Sequence, residues 1–362
     1  MASDYLILTF DGGGIRGLIS ALLVQQLDKE LDLLKRVDLF AGTSTGALMA
    51  LGLASDVPIS ELVDIYMTKG KEVFQPYNKL LASKPPPALV KMYPQLKTKA
   101  QAANLVDLFH VKYTDAGLKK IVEQTFPSSL PLSQLSHKVL ITAFDLYKAD
   151  TKAWGPISMT NLPGYKTAGI SVLDAALSAC AAPVYFPPHV FTHNKTRRAL
   201  LDGGVYANNP SMLAAASVIA SGTLRRRGLA FQNIKLLSLG TGFNLDALPP
   251  QKMWPADWYG VLAWLTPVSV PPTPQFPLLP VLMDGVSDID TFQCKQILGK
   301  NFRRGNVRLK EMINLDDYQK VGLLKKWTDA YMASAEWQEI KRWLGATLSR
   351  RQPTRGKKAS AK

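Results

Sequence analysis

Residues 8–18 of the chain read LTFDGGGIRGL, an apolar run that passes directly into three consecutive glycines. Gly12, Gly14 and Gly17 fit the spacing G-x-G-x-x-G, and the residues that follow repeat apolar side chains at helical spacing. A strand, a glycine turn and a helix in this order predict the first βα unit of an α/β domain. The turn suits an anion, because N–H groups at a helix N-terminus attract negative charge. That anion is either a dinucleotide pyrophosphate or the oxyanion of a reaction intermediate.

A second unit of the same kind follows at residues 37–54, which read VDLFAGTSTGALMALGLA. Apolar runs at 138–146 and 234–242 predict later strands, and residues 171–182 predict a helix that stops at Pro183. This repeated order of strand and helix predicts an α/β fold whose mainly parallel sheet is buried on both faces.

Two long segments interrupt the pattern. Residues 69–100 are rich in lysine and contain three consecutive prolines, and residues 249–285 begin with a stretch rich in proline and tryptophan. Because we find neither a repeat nor a linker, we expect one domain at 1–349 with insertions at about 69–100 and 249–285, followed by a basic, disordered tail at 350–362. The insertions have the length and irregularity of active-site lids, and tryptophan in the second also suits a membrane surface.

The composition is that of a globular protein, with 47% hydrophobic residues and two cysteines among 362 residues. So few cysteines imply no disulfide framework and favour a reducing compartment. The N-terminus resembles no signal peptide, and no apolar run reaches the roughly 18 residues that would span a bilayer. We therefore expect a cytoplasmic protein.

The net charge is +15, and the positive charge is concentrated in residues 69–99 and in the last thirteen residues. Such a balance suits an anionic membrane surface or a nucleic acid, although a solvated face and a solubilising tail explain it equally well. We find no zinc finger, recognition helix or aromatic-interleaved pattern beside the charge, so nucleic acid is the less favoured partner.

The turn after the second predicted strand has the sequence G-x-S-x-G, with Ser44 between Gly42 and Gly46. A serine on a sharp strand-to-helix turn presents its hydroxyl as a nucleophile, and flanking glycines let the neighbouring backbone pass without a Cβ clash. The positive end of the following helix dipole faces the same point. The pattern predicts a nucleophile elbow at Ser44.

A nucleophilic serine needs an oxyanion hole, which the glycine loop at Gly12–Gly14 can supply. A dinucleotide site would instead need an acid at the end of the second strand, about twenty residues after the glycines. Asp38 begins that strand, and the far end of the strand leads to Ser44. The oxyanion interpretation is therefore favoured, and Arg16 within the loop suits an anion in either case.

The serine also needs a base, and the residues offer two kinds. Asp202 lies in LLDGGVYANNP, after an apolar strand and before a helix. His189 and His193 follow Ser44 at a distance that is compatible with a Ser-Asp-His order, in segments typical of a hairpin or loop. From the residues alone, both a dyad and a triad stay open.

The motifs DGGGIRG, GTSTG and DGG followed by NNP, with SACAAPVYFPP at 178–188, occur in the order typical of patatin-like phospholipases. The chain resembles this family from residue 5 to about 245. The resemblance implies a three-layer α/β/α sandwich and a Ser-Asp dyad of Ser44 and Asp202, with no catalytic histidine, metal or organic cofactor. The further residues implied are an oxyanion hole of Gly12, Gly13, Gly14 and the Thr45 N–H, support of the anion and loop by Arg16, and motif glycines Gly42, Gly46, Gly203 and Gly204.

The sequence from LSLGTGF onward also resembles bacterial patatin-like phospholipases of antiphage systems that cyclic dinucleotides activate. We therefore expect a phospholipase A or lysophospholipase that associates peripherally with anionic membranes and is switched on by a cyclic dinucleotide. The alternatives are a constitutive soluble carboxylesterase or acyltransferase with the same dyad, and a non-catalytic nucleotide-binding module. The oligomeric state stays open, a homo-oligomer included.

Overall fold

The computed structural model describes residues 4–77, 90–91, 111–243, 255, 261–265 and 278–349. Its strands are β1 Tyr5–Phe10, β2 Leu39–Gly42, β3 Lys138–Lys148, β4 Ala153–Thr160, β5 His189–His193, β6 Thr196–Asp202, β7 Ile234–Leu239 and β8 Phe302–Gly305. Its helices are α1 Gly17–Leu31, α2 Thr45–Ala54, α3 Ile59–Thr68, α4 Gly70–Val73, α5 Ala116–Thr125, α6 Val172–Ala179, α7 Gly204–Ala207, α8 Ser211–Ala220, α9 Thr223–Arg226, α10 Val261–Leu265, α11 Leu278–Leu298, α12 Val321–Met332 and α13 Ala335–Leu348.

These strands form one sheet in the order β5-β6-β3-β2-β1-β7-β8, and β4 pairs with β3. The pairs β1–β2, β1–β7, β2–β3 and β7–β8 are parallel, whereas β3–β4, β3–β6 and β5–β6 are antiparallel. The predicted α/β class and the mainly parallel sheet are confirmed. The strand that precedes Asp202 was predicted and is β6. Strands β4 and β8 and the antiparallel pairings were not predicted, because short strands with mixed polar and apolar residues lack a clear apolar run.

Helices cover both faces of the sheet, and β1 shows the consequence, since all six of its side chains are buried. Leu6, Leu8 and Phe10 join a core with residues of α1, α2, α12 and α13. Tyr5 and Ile7 point the other way and join a core with residues of α8 and α11. This alternation along one strand requires a helical layer on each side. The predicted three-layer α/β/α sandwich is therefore confirmed.

One edge of β3 sets the geometry of the site. β4 pairs with β3 from Leu140 to Lys148, and the residues of β3 that pair with β2 and β6 lie within or next to that stretch. Because a strand has only two edges, β2 and β6 must share the edge opposite β4. The last residue of β2 lies opposite Ile141, and the last residue of β6 lies opposite Ala143. The C-terminal ends of β2 and β6 therefore face each other along this edge of β3.

Most of the two predicted insertions and the whole predicted tail at 350–362 lie outside the described residues. Residues 278–285, at the end of the second predicted insertion, are the first two turns of α11. The domain boundaries and the disorder of the tail stay predictions. No helix in the described part of the chain has both the length and the hydropathy that a membrane crossing needs.

Candidate active site

Ser44 lies between the end of β2 and the start of α2 and has φ +53° and ψ −124°. A positive φ is rare for a residue with a side chain, and such a backbone costs roughly 1–3 kcal/mol unless its surroundings enforce it. Short bonds hold the turn, since the Gly46 N–H donates to Thr43 O at 2.7 Å and the Ala47 N–H donates to Ser44 O at 2.8 Å. The strained turn presents the Ser44 side chain at the N-terminus of α2.

The glycines beside Ser44 are required by contact with the backbone. A Cβ on Gly42 would lie 2.0 Å from Gly46 O, and a Cβ on Gly46 would lie 2.3 Å from Phe10 O. Neither backbone oxygen can move away without breaking the turn or the end of β1. The strand, the turn and the helix can pack this closely only because both positions lack a side chain.

Asp202 is the last residue of β6 and makes a side-chain hydrogen bond with Ser44. The facing C-terminal ends of β2 and β6 bring the two residues together. The Gly204 N–H donates to Asp202 Oδ1 at 2.8 Å and fixes the carboxylate. A Cβ on Gly203 would lie 2.2 Å from Thr142 Oγ1, so this turn against β3 also needs a glycine.

Asp202 is only 3% exposed. Burial raises its pKa from 3.8 to about 7, although the hydrogen bonds from Ser44 and Gly204 act in the opposite direction. A carboxylate of this basicity can accept the proton of a serine hydroxyl near neutral pH, which an exposed aspartate does poorly.

The histidines have other partners. His189 Nε2 lies 2.9 Å from Asp174 Oδ1 of α6, and His193 Nε2 lies 3.4 Å from Lys166 O. The triad that the residues had left open therefore has no support in this geometry, because the Ser44 hydroxyl pairs with Asp202.

The glycine loop offers some of its backbone N–H groups to a ligand. The Gly12 N–H donates to Asn208 O at 3.0 Å and is therefore not available to an oxyanion. Within the described residues, the N–H groups of Gly13, Gly14 and Thr45 have no acceptor. Gly14 has φ +57°, and a Cβ there would lie 2.2 Å from Leu315 O. Of the four predicted oxyanion donors, the N–H groups of Gly13, Gly14 and Thr45 are therefore the three that a ligand can use.

The remaining atoms of the loop are fastened from several sides. Thr241 Oγ1 donates to Gly12 O at 2.7 Å, and the Ile15 N–H donates to Leu315 O at 2.8 Å. The Arg16 N–H donates to Gly13 O at 3.1 Å, and its side-chain Nε lies 3.4 Å from the same oxygen. Arg16 therefore braces the loop, and sequence reasoning did not identify Thr241 or Leu315, which are distant in the chain.

The NNP motif connects the site to α11. Asn208 Nδ2 donates to Ser287 Oγ at 3.0 Å, and Asn209 Nδ2 donates to Thr291 Oγ1 at 3.1 Å. Asn209 Oδ1 also accepts hydrogen bonds from the N–H and the hydroxyl of Ser211, at the start of α8. The two asparagines thus hold the segment that follows Asp202 against two helices, a role that the sequence motif alone did not indicate.

An apolar cavity of about 80 Å³ opens beside Ser44. Helices α2 to α5 and the segment after α5 supply most of its wall, including Leu48, Leu62, Tyr66 and Phe126. The Tyr66 hydroxyl donates to Thr45 O at 3.0 Å, so one wall residue also holds the first turn of α2. This wall was not predicted, since its residues come from helices whose sequences carry no motif.

Cys180 also lines this cavity. Its thiol is buried, and burial raises its pKa well above the ordinary value, so the sulfur stays protonated. Ser44 therefore has no thiolate competitor in the cavity.

A second, larger space of about 980 Å³ lies on the other side of the glycine loop. It is a groove of mixed polar and apolar lining that carries both signs of charge, with Asp11, Asp288, Lys295, Arg304 and Arg308 among its residues. Asp290, on the helix that forms one wall, has a pKa that burial and the nearby Asp11 raise to about 7. Within the described residues, no group of three His, Cys, Asp or Glu side chains could hold a metal ion.

The site has the arrangement expected of an acyl hydrolase, and the family follows from the sequence comparison. The profile of the patatin-like phospholipase family matches residues 8–215, which contain the glycine loop, Ser44, Asp202 and the NNP motif. The chain belongs to this family, which places it among the lipid acyl hydrolases.

Individual relatives are similar at moderate identity. Patatin-like protein 1 of Arabidopsis thaliana is 27% identical in an alignment covering 87% of this chain and 80% of that protein. Patatin-like protein 2 of the same plant is 32% identical, over 72% of this chain and 65% of that protein. A cGAMP-activated phospholipase of Escherichia coli is 24% identical, over 70% of this chain and 67% of that protein.

Proposed function

We propose that the chain hydrolyses acyl esters of glycerophospholipids with Ser44 as nucleophile and Asp202 as general base. One observation carries the proposal: a buried carboxylate with a pKa of about 7 is hydrogen-bonded to a serine on a strained turn. The apolar cavity beside that serine suits an acyl chain.

In the first half of the reaction, Asp202 accepts the proton of the Ser44 hydroxyl as the oxygen attacks the ester carbonyl. The carbonyl oxygen becomes an oxyanion, and the N–H groups of Gly13, Gly14 and Thr45 are the donors for it. When the tetrahedral intermediate collapses, the bond to the leaving glycerol oxygen breaks and Asp202 returns the proton to that oxygen. The acyl group stays on Ser44.

In the second half, a water molecule attacks the acyl-enzyme while Asp202 takes one of its protons. The intermediate collapses, the bond to Ser44 breaks, and the proton returns to the serine oxygen. The products are a free fatty acid and a lysophospholipid, or glycerophosphodiester when the substrate has a single acyl chain. Asp202 accepts and returns a proton in each half of the reaction, so the scheme needs no histidine.

The experiment that tests this proposal measures hydrolysis of phospholipid vesicles and of a soluble p-nitrophenyl ester, together with labelling by a fluorophosphonate. Ser44→Ala should lower kcat by at least about 10⁴-fold and abolish labelling, because nucleophilic catalysis depends on that oxygen. Ser55→Ala is the control, since Ser55 ends the same helix and its hydroxyl only caps Leu51 O at 2.7 Å. Activity or labelling retained by Ser44→Ala would refute the proposal.

We also propose that a cyclic dinucleotide raises the activity. Three relatives, 24–27% identical to this chain, carry the name cGAMP-activated phospholipase, and they support this part of the proposal. Activation requires a nucleotide with higher affinity for the active state, and a tenfold effect corresponds to about 1.4 kcal/mol of coupling.

The test compares vesicle hydrolysis with and without a panel of cyclic dinucleotides and measures their binding by calorimetry. We expect low resting activity and at least a tenfold rise with one of them. Full activity in the absence of nucleotide, with no detectable binding, would leave a constitutive hydrolase.

We propose an anionic membrane surface as the place of action, reached by peripheral association from the cytoplasm. The net charge of +15 supports this, because each basic residue near such a surface contributes about 1 kcal/mol. Deletion of residues 350–362 removes six positive charges and should weaken binding to anionic vesicles while leaving hydrolysis of a soluble ester unchanged. Equal binding to neutral and anionic vesicles would contradict this part.

A further inference from the structure

A buried ion pair fastens the start of the glycine loop. Arg304 Nη2 lies 2.5 Å from Asp11 Oδ2, and Arg304 Nη1 lies 3.1 Å from Asp11 Oδ1, so the guanidinium holds both carboxylate oxygens. The side chains are 12% and 4% exposed. A bidentate ion pair of this kind fixes the orientation of a carboxylate as well as its position.

The register of the sheet explains how residues so distant in the chain meet. Arg304 on β8 lies opposite Ser238 on β7, and Ser238 lies opposite Thr9 on β1. The guanidinium reaches across β7, donates to Ser238 Oγ at 2.7 Å, and holds Asp11, which follows the end of β1. The pair therefore ties the point where β1 becomes the glycine loop to a strand two places away.

Asp11 is bonded directly to the loop that supplies the oxyanion donors. Its N–H donates to Leu239 O at 3.1 Å, and the next residue, Gly12, is held at both its N–H and its carbonyl oxygen. Gly13 and Gly14 then follow with free N–H groups among the described residues. Rotation of Asp11 would turn these N–H groups, because they belong to the second and third peptide units after it.

A role in stability alone accounts poorly for this arrangement. Burying two charges carries a large cost in lost solvation, and a buried ion pair often adds no net stability over apolar side chains. Arg304 keeps its charge there: burial lowers its pKa, but Asp11, Asp288 and Cys294 together raise it by more. Arg304 also lies outside residues 8–215, the part of the chain that the family profile matches.

We infer that Arg304 is a positioning residue for the oxyanion loop: it orients Asp11 so that the Gly13 and Gly14 N–H groups face the reacting carbonyl. The inference rests on the proposed acyl hydrolase function. A displacement of about 1 Å at a reacting group can cost on the order of 100-fold in rate, so loss of the pair should act on kcat.

The chain offers a matched control at the opposite end of the same strand. Asp38 is buried, accepts the Leu6 N–H at 2.7 Å, and pairs with Arg227 Nη1 at 2.6 Å. Like Asp11, it is a buried carboxylate that holds β1 and is held by an arginine. Leu6 is near the start of β1, whereas the glycine loop follows its end, so Arg227→Gln removes an arginine–aspartate pair at the other end of the strand, where the arginine is 46% exposed.

The experiment measures kcat and KM for a soluble p-nitrophenyl ester, inhibition by a trifluoromethyl ketone that forms an oxyanion on Ser44, and thermal unfolding. Arg304→Gln should lower kcat about 10- to 100-fold with KM within threefold, and should raise the inhibition constant by a similar factor. Arg304→Lys, which keeps the charge and loses the bidentate geometry, should recover part of kcat. Arg227→Gln should leave both constants within threefold of the wild type.

Asp11→Asn combined with Arg304→Gln serves as a second variant, because it removes both charges and leaves no unpaired ion to unfold the protein. The same loss of kcat in this variant would support the inference. A kcat within threefold of the wild type in the double variant, or equal losses in the Arg227→Gln control, would overturn it. Absence of Ser44-dependent hydrolysis in the wild type would instead refute the proposed function, and this inference with it.

Discussion

The glycine loop separates two spaces of opposite character. On one side, the cavity beside Ser44 is apolar, and the first 126 residues supply nearly all of its wall. On the other side, the groove is charged, and much of its lining comes from residues after 283. Asp11 and Arg16, at the two ends of the loop, line the groove, whereas Gly14 and Ile15 between them line the cavity, so one short loop borders both spaces.

Different parts of the chain supply the candidate reacting residues and the residues that hold the glycine loop in place. The segment that carries the motifs contains Ser44, Asp202 and nearly all of the apolar wall. The C-terminal third contributes Arg304 and Leu315, which contact the loop from the outside. An apolar surrounding strengthens the hydrogen bonds to a developing oxyanion, and a charged groove would weaken them if it opened directly onto Ser44. We infer that the loop keeps the two environments apart.

The largest effect should come from a change of Asp202, the proposed base. Asp202→Asn keeps the size of the side chain and removes its basicity, so kcat for a soluble ester should fall about 10⁴-fold, as at other carboxylates that serve a nucleophile. His189→Ala, on the same hairpin but paired with Asp174, should stay within tenfold of the wild type. A histidine variant as inactive as the aspartate variant would show that the base lies elsewhere.

The comparison of cavity and groove is tested next by filling the cavity. Leu48→Trp places a larger side chain in its wall and should lower kcat/KM for long-chain esters about 10- to 30-fold, while acetyl and butyryl esters stay within threefold. Glu339→Gln changes an exposed residue of the groove and should not alter chain-length preference. An equal loss for all chain lengths would mean that the acyl chain binds outside the cavity.

A change of one pH unit should alter kcat/KM no more than the two substitutions above do, but the midpoint of the pH dependence reports on Asp202 specifically. Below its pKa of about 7, the protonated carboxyl cannot accept the Ser44 proton, so kcat/KM should fall tenfold for each unit of decreasing pH. Above that value kcat/KM should level off. The measurement uses an ester without ionisable groups between pH 5 and 9, with folding checked at each pH. A midpoint near 4 would assign the base to an exposed carboxylate.

The smallest effect is on stability, and its sign is opposite to that on activity. Because the folded pKa of Asp202 is raised above its unfolded value, the folded state loses stability as pH rises from about 4 to about 7. The asparagine side chain carries no charge at any of these pH values, so the advantage of Asp202→Asn over the wild type should grow by roughly 2–3 kcal/mol between pH 5 and pH 8. Thermal unfolding at the two pH values measures it, and an advantage that shrinks with pH would contradict the assigned burial of the carboxylate.

The sequence by itself determined the local units of the fold and the residues able to do the chemistry. The apolar run of β1, the glycines after it, and the turn with Ser44 between Gly42 and Gly46 were all readable. They were readable because strand and helix periodicity and the steric demands of a tight turn act over a few neighbouring residues. Asp202 stood out for the same reason, as an aspartate before a glycine pair at the end of an apolar strand.

Tertiary structure decided which candidates meet. The residues alone left Asp202 and two histidines open as the base, and the shared edge of β3 brings Asp202 to Ser44. The tertiary structure also places Asn208 O where it accepts the Gly12 N–H, and it brings Arg304 to Asp11, 293 residues away in the chain. Strand register and packing fix these contacts, and they depend on the whole sheet at once. A local pattern of residues carries no information about them.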